Sequence, residues 1–515
     1  MMNRLFAIPL LLLAAGCAST TTKSGGATVV RRWDDRTVTF NVLGVESASV
    51  DVPPGEPERD AETFDVIVVG GGMSGLTASW YLRDRRVVCL ERKDEAGGLA
   101  FRGFTPEGIA YGRGSAYYSK PRKHVERIYR ELGMAPLEET AIPEPIDSYW
   151  TNGRLVEHVW EEEGLKQLPE GFRRFKAALL KVDEDGLVPE QPIDEAKELA
   201  LDRMTAAEWI KPYGPEVKDF LDSYCQSALG GKTDELNALA FCNFYLAEIE
   251  TRYAWPGGTA GGSAHMIGIL NKHNPAILRT GATVTRVRNT GAGVDVEYVH
   301  RGRRRVASAK YAIVTVPLRV AAWIVDGYPE ERRRLVDRLT YADYVVHAVF
   351  TKRDHFTDSY DTWFANRSFT DVIVARWIET DGFEKKPSSG PGILSVYQPL
   401  APHRGVKRLD PDTVADLGLA AIREVSEMVP ELRQEPSLSV ESYRWPASIH
   451  IVPPGYFSEW VPKLKDPVGR IYFAGNNLGT PSFEEALYRG WKAADELRRL
   501  LSHAPVRRAE PALAR

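Results

Sequence analysis

Four consecutive apolar residues, Val66–Ile67–Val68–Val69, follow the polar Asp65 and stop at Gly70. An unbroken β-branched run bounded by glycine predicts a strand buried on both faces, as in a parallel sheet. Helix-forming residues from Leu76 to Arg83 come next, and a second β-rich run, Val87–Val88–Cys89–Leu90, stops at Glu91. The order predicts a βαβ unit. Elsewhere the period changes. Thr37 to Val42 alternates polar and apolar, predicting a short strand that docks on the body. Between residues 150 and 250, Leu, Ala, Glu and Lys recur at helical spacing, with Thr205-x-x-Glu208 as a capping box. A helix is expected over Gly262 to Leu270, and strands over Thr283–Val287, Val294–Val296 and Ala312–Val316. The runs Tyr344–Phe350, Asp371–Trp377 and Ile393–Tyr397 predict an antiparallel sheet. Near the end, Arg470–Phe473 predicts a strand into a Gly475 turn. Ser482-x-x-Glu485 then opens a helix with Leu487, Trp491, Ala494 and Leu497 on its core face.

A chain of 515 residues exceeds one compact core, so two domains are expected. With 43% hydrophobic and 26% charged residues the composition is that of a globular protein, and a net charge of −4 gives no reason to expect nucleic acid. The basic run Arg301 to Arg305 lies between two strand-like stretches and reads as a solvated hairpin turn. Cys89 falls in a core strand, Cys225 and Cys242 are free to pair in an oxidising compartment, and no His/Cys cluster suggests a metal. Arg4 precedes an apolar stretch, Leu5 to Ala15, too short to span a bilayer. It runs into Leu13–Ala14–Ala15–Gly16–Cys17, which resembles a bacterial lipobox. The resemblance implies lipidation of Cys17 and, with Ala18 rather than aspartate next, a periplasm-facing anchor in the outer membrane of a bacterial envelope.

The chemistry concentrates at Gly70-x-Gly72-x-x-Gly75. Placed between the predicted strand and helix, Gly70 permits a tight turn, Gly72 lets backbone approach a pyrophosphate, and Gly75 lets helix and strand pack closely. The helix N-terminus offers unpaired N–H groups and a positive dipole end to phosphates. Glu91, at the end of the second strand, can accept hydrogen bonds from a ribose diol.

These residues, with Gly97–Gly98 after Glu91, resemble the flavin-containing amine oxidase superfamily, which includes monoamine and polyamine oxidases, protoporphyrinogen oxidases and phytoene desaturases. The resemblance recurs in Tyr111–Tyr117, Trp255–Thr259, Ala312–Pro317 and Arg470–Asn477. It implies an α/β fold: a Rossmann-like FAD-binding domain (GR2-type) with an inserted α+β substrate-binding domain. The divisions expected are a signal peptide at 1–17, a linker and short strand at 18–62, FAD-binding segments at 63–149, 251–335 and 441–503, substrate segments at 150–250 (helical) and 336–440 (sheet), and a tail at 504–515. Non-covalent FAD is expected, contacted by Gly70, Gly72, Gly75, Glu91, Arg92, Gly98, Gly114, Ser115, Val284 (through its backbone, at the adenine), Gly475, Asn476, Ser482 and Phe483. Tyr117, Trp255 and His450 are expected on the substrate side.

The pattern also departs from the family. Leu99 stands where an arginine is common, with Arg102 and Arg113 as alternatives to replace it. Val346 stands where a lysine near the flavin is usual, which makes the adjacent His347 the candidate catalytic group. Asn476 replaces a glutamate, and a substrate-framing tyrosine falls at Ser482 or Phe483. The expected function is transfer of hydride from a C–H of a small organic substrate, an amine or amino acid, to FAD, with O2 or a quinone as acceptor. The alternatives are a desaturase acting on a lipophilic substrate and a flavin-binding protein without turnover.

Overall fold

The computed structural model describes residues 26–44, 52–105, 108–119, 123–134, 142, 146–188, 193, 200–249, 252–253, 259–356, 358–375, 390–400 and 409–503. Cys17 and Trp255 lie outside them.

The apolar run of the first glycine unit is the end of a long strand, Glu58–Val69. Its last four residues pair in parallel with Val87–Leu90 on one side and with Tyr311–Val314 on the other. All of Val66, Ile67, Val68 and Val69 are buried, as a strand covered on both faces requires. This seven-stranded sheet runs Leu278–Arg279, Val87–Leu90, Glu58–Val69, Arg303–Val314, Val294–His300 and Ala282–Asn289, with Ile471–Phe473 added alongside Arg303–Val314. The strand begins at Glu58, before the expected boundary, because Arg59 and Asp60 are tied across the sheet to Asp295, Arg279 and Arg305. Within the run RGRRR, Arg301 and Gly302 both take positive φ, the two-residue turn that right-twisted hairpins favour, while Arg303 to Arg305 enter the next strand.

The second sheet has nine strands: Ala27–Trp33, Arg36–Gly44, Ser437–His450, Tyr341–Thr351, Gly392–Leu400, Asp371–Val374, Asp361–Phe364, Asp147–Thr151 and Arg154–Glu157. It differs from a purely antiparallel sheet at two parallel pairs, Asp361–Phe364 with Asp147–Trp150 and Ser437–Arg444 with Thr37–Gly44. The N-terminal hairpin is therefore part of this sheet. Val38, Phe40 and Val42 are fully buried, and the helix Pro411–Val425 packs over the hairpin. The strand Ser437–His450 also belongs here, so cofactor-domain structure resumes only after it.

Helices fill the space beside the second sheet. Glu170–Glu184, Pro215–Leu229 and Ala238–Leu246 come from the helical block. Thr205 and Glu208 form the reciprocal capping box of the short helix Ala206–Ile210. Cys89, Cys225 and Cys242 are buried and unpaired. Among the described residues no group of side chains would hold a metal ion, and no helix is long and apolar enough to cross a membrane.

Candidate active site

Three chain segments converge at the ends of the parallel strands. Gly70 has φ +107, and Thr315 closes over it, its hydroxyl donating to the carbonyls of Val69 and Gly70, both at 2.9 Å. Gly75 lies so close beneath that a Cβ there would sit 1.9 Å from the Gly70 oxygen. Gly475, at φ +129, approaches the same Thr315 from the last segment. Gly72 differs: it begins the helix Met73–Tyr81 without any side-chain cap, and a Cβ there would meet only Gly98, at 3.8 Å. The helix thus presents bare N–H groups to an open cradle between Gly72 and Gly98, the arrangement a pyrophosphate needs.

Glu91 ends its strand with its carboxylate turned back toward this cradle, accepting from the N–H groups of Gly71 (2.6 Å) and Lys93 (2.8 Å). Arg92, expected at the cofactor, faces solvent instead; the chain turns after Leu90, so the next residue points inward. That residue is Lys93. Its amine is shielded from water, has no hydrogen-bond partner and lies 4.1 Å over the Trp445 ring. Burial pushes it down to about 8, opposed by Glu91. Neither proposed substitute for the missing arginine is available. Arg113 pairs twice with Glu441, at 2.5 and 2.8 Å, and Arg102 stacks over Phe104. Lys93 is the free cation at this cradle among the described residues. The sequence signal for it was its place two residues after the ribose acid.

The other residues expected at the cofactor come from three further stretches of chain. Gly114 passes so close to Leu99 that a Cβ would lie 2.2 Å from its carbonyl oxygen, and the Ser115 N–H donates to that same oxygen at 3.1 Å. Val284 sits at a register break in its strand, which frees local backbone groups from the ladder. Asn476 is half-buried at the turn after Gly475. Ser482 caps the closing helix Phe483–His503 by accepting from the Glu485 N–H at 3.0 Å, while the Glu485 carboxylate pairs with Arg489 at 2.5 Å. Phe483 packs against Tyr118 and Tyr129. These residues fit a bound FAD: an uncapped helix N-terminus, a cradle that a Cβ at Gly98 would crowd against Gly72 at 3.0 Å, and an orphaned buried amine beside the ribose acid.

The nine-stranded sheet meets this cradle with one face. Side chains of directly opposed strand residues share a face. One row across it reads Tyr443, Val346, Tyr397, Asp371, Trp363 and Tyr149, and the next Glu441, Ala348, Ser395, Ile373, Asp361 and Asp147. The Tyr397 hydroxyl donates to the Gly114 carbonyl at 3.0 Å, and the Trp445 indole donates to the Arg113 carbonyl at 2.5 Å. This face therefore looks onto the Tyr111–Tyr117 stretch, which resembles the family's glycine-rich loop under the flavin ring (hereafter the flavin loop), and Val346 is on it. His347 is not. A strand alternates faces, so His347 points to the other side, under the helix Pro411–Val425, bonded to Ser442 (2.7 Å) and Gln398 (3.0 Å). It is fully buried, and burial pushes it down to about 4. The expectation that His347 acts on substrate is corrected by this placement. His450 is also fully enclosed, held by the Gly479 carbonyl at 2.9 Å and by Asn477 at 3.0 Å.

Tyr117, expected on the substrate side, lies with its ring 4.6 Å from the guanidinium of Arg252. Arg252 is fully buried, bound twice by Asp147 (2.6 and 2.9 Å), once by Asp361 (3.3 Å), and 3.8 Å from Glu248. Asp371 stands beside them. Four carboxylates thus share one cation, and burial pushes Asp361 and Asp371 upward, Asp371 to about 7. None of this acidic cluster was anticipated; its members come from four separate stretches of chain.

The sequence model described as flavin containing amine oxidoreductase matches residues 73–498. The chain belongs to this family. It is an FAD-dependent oxidoreductase. The flavin-containing amine oxidase of Oncorhynchus mykiss is 23% identical over 468 residues, 84% of this chain and 86% of that one. The nicotine dehydrogenase of Pseudomonas putida is 23% identical over 471 residues, covering 85% and 89%. Among solved structures, putrescine oxidase bound to putrescine superposes with TM-score 0.66 at 16% identity, covering 85% of this chain and 99% of that one. Cyclohexylamine oxidase from Brevibacterium oxydans gives 0.65 at 20% identity, covering 86% and 100%. This family member has the glycine cradle and Glu91 at the end of the second strand, with valine at 346 and leucine at 99.

Proposed function

We propose that the protein oxidises a small organic amine, with O2 as the final electron acceptor. The observation that carries this reading is the charge of the sheet face opposite the flavin loop. Asp147, Asp361, Asp371 and Glu248 outnumber Arg252; burial raises Asp361, Asp371 and Glu248 toward their neutral forms, and an arriving cation favours their charged forms, so the wall accommodates an ammonium group. An amino acid is a poorer fit. Its carboxylate would need a free arginine, and Arg252 and Arg113 are both already bound twice by carboxylates.

FAD, when bound, supplies acceptance of a hydride. The chain does the rest. Gly72, Gly98 and Lys93 hold the dinucleotide, Tyr397 and Trp445 brace the loop beneath it, and the acidic wall orients the ammonium. An apolar residue at Val346 keeps water from the reacting C–H. The test is an anaerobic screen of amines, amino acids and polyenes for bleaching of the flavin, followed by peroxide measurement in air. Bleaching by amines with one peroxide per turnover is expected; bleaching by polyenes alone would sink the reading.

We propose further, on residues 1–17 alone, that Cys17 carries a lipid anchor. Radiolabelled palmitate should enter the wild type and not Cys17→Ser; equal labelling would refute it.

A further inference from the structure

An alkylammonium, like a lysine side chain, holds its proton to about pH 10. In that form its nitrogen has no lone pair to stabilise the cation left when the neighbouring carbon loses hydride. A proton acceptor is therefore required before oxidation. On the face of the sheet that meets the flavin loop, Val346 and Ala348 offer none. Glu441 is bound twice by Arg113, and Asp147 twice by Arg252.

Asp371 remains. It is the direct cross-strand neighbour of Tyr397, whose hydroxyl holds the Gly114 carbonyl of the flavin loop, and Tyr397 in turn is the direct neighbour of Val346. The Asp371 carboxylate accepts from Thr370 at 2.6 Å and from Ser227. Two further observations mark a missing polar ligand on this face. The Oδ1 atom of Asp361 and the hydroxyl of Ser395 are buried without any partner. A polar crevice of about 30 Å³, lined by Asp222, Ser223, Gln226 and Thr370 among others, lies next to Asp371 in the chain and is wide enough for water.

We propose that Asp371 receives the substrate's ammonium group and takes its proton. The step rests on the amine reading above. One N–H bond breaks with its electron pair left on nitrogen, and an O–H bond forms on the carboxylate. The proton then leaves by the Thr370 hydroxyl and the crevice. The charged and titratable groups facing Asp371 are Asp361, Asp147, Arg252, Tyr344, Tyr360 and Tyr397. Burial raises Asp371 to about 7, against the hydroxyls of Thr370 and Ser227, which favour its charged form. Below that pH the group is protonated and cannot accept, so the reaction accelerates as pH rises through it.

The experiment follows anaerobic flavin bleaching in the holoenzyme by cyclohexylamine and by 1,4-diaminobutane from pH 5.5 to 9. The wild-type second-order rate should rise through about pH 7. Asp371→Asn should slow it by on the order of 100-fold or more and abolish the inflection, with the flavin spectrum and dithionite reduction unchanged, and Asp371→Glu should recover part of the rate. Thr370→Val, which removes a bond that favours the carboxylate, should move the inflection to higher pH. Wild-type rate and inflection in Asp371→Asn, or an unmoved inflection in Thr370→Val, would overturn this proposal alone. Failure of both amines to bleach the wild type would overturn the amine reading with it.

Discussion

Lys93 and His347 are both polar side chains in or beside strands, and their surroundings give them opposite meanings. The Lys93 amine is buried, without a partner and next to Glu91, which is why we assign it to hold a phosphate or ribose oxygen of FAD. Lys93→Met removes a charge-assisted hydrogen bond worth roughly 1.5–3 kcal/mol. FAD affinity should fall on the order of 10- to 100-fold, read by flavin titration of the apoprotein. His347 already has two partners. Replacing it with glutamine should leave the rate of flavin bleaching unchanged. Its effect appears in stability. The folded form binds a proton only near pH 4, whereas an unfolded histidine binds one near 6.5, so between these values the unfolded chain carries more protons. Stability from this residue is present above pH 6.5 and lost as pH falls toward 4, by an amount on the order of 3 kcal/mol. Thermal melts of wild type should drop relative to His347→Gln across that window. Asp371 and Glu484 work the other way: both are raised to about 7, so their contribution falls as pH rises through the same range.

At the scale of elements, the glycine turn separates folding from binding. Gly75→Ala places a methyl group 1.9 Å from the Gly70 carbonyl oxygen, and strand and helix must move apart. That variant should lose both its flavin and its cooperative melt. Gly72 has φ −73, which any residue adopts, and its Cβ direction is open. Gly72→Ala should therefore melt like wild type and emerge from purification with little flavin absorbance, because the methyl group fills the phosphate cradle. Wild-type flavin content in Gly72→Ala, or the same loss of melting in both variants, would contradict this division. These local elements were legible in the sequence for a plain reason. A turn, a cap and a strand buried on both faces are decided by residues within a few positions of one another. The Thr205–Glu208 box was read from spacing and found intact. The Ser482–Glu485 box was read the same way, but Glu485 pairs with Arg489 one turn onward, and the Ser482 N–H donates to Thr480. A strong ion-pair partner in reach outcompetes the reciprocal cap.

For the whole molecule, the first and last quarters of the chain cooperate in the substrate sheet. The strand Arg36–Gly44 pairs with Ser437–Arg444, and the side chains of Phe40 and His347 both lie against Gly418 of the covering helix. Phe40→Ala opens a fully buried site and should cost about 3–5 kcal/mol. Chemical denaturation should show that loss, while the flavin spectrum stays unchanged because the residue lies on the face away from the cofactor. No spacing rule links residues four hundred positions apart, so an alternating run near the N-terminus reads as a strand without an address.

What the amino-acid order determined by itself was the flavin half of the protein: the βαβ unit, its three glycines, the acid at its end and the cofactor they hold. Each follows from steric limits on neighbouring backbone atoms. What only tertiary structure decided was which side of the substrate sheet faces that cofactor. Alternation along Tyr341–Thr351 says that Val346 and His347 point in opposite directions, but not which of them sees the flavin. The choice falls to Tyr397, Trp445 and the helix Pro411–Val425, packed from remote parts of the chain on opposite faces. The same packing gathers Asp147, Glu248, Asp361 and Asp371 around Arg252, because burying that many charges is tolerable only where they share one counter-ion and a network of hydroxyls.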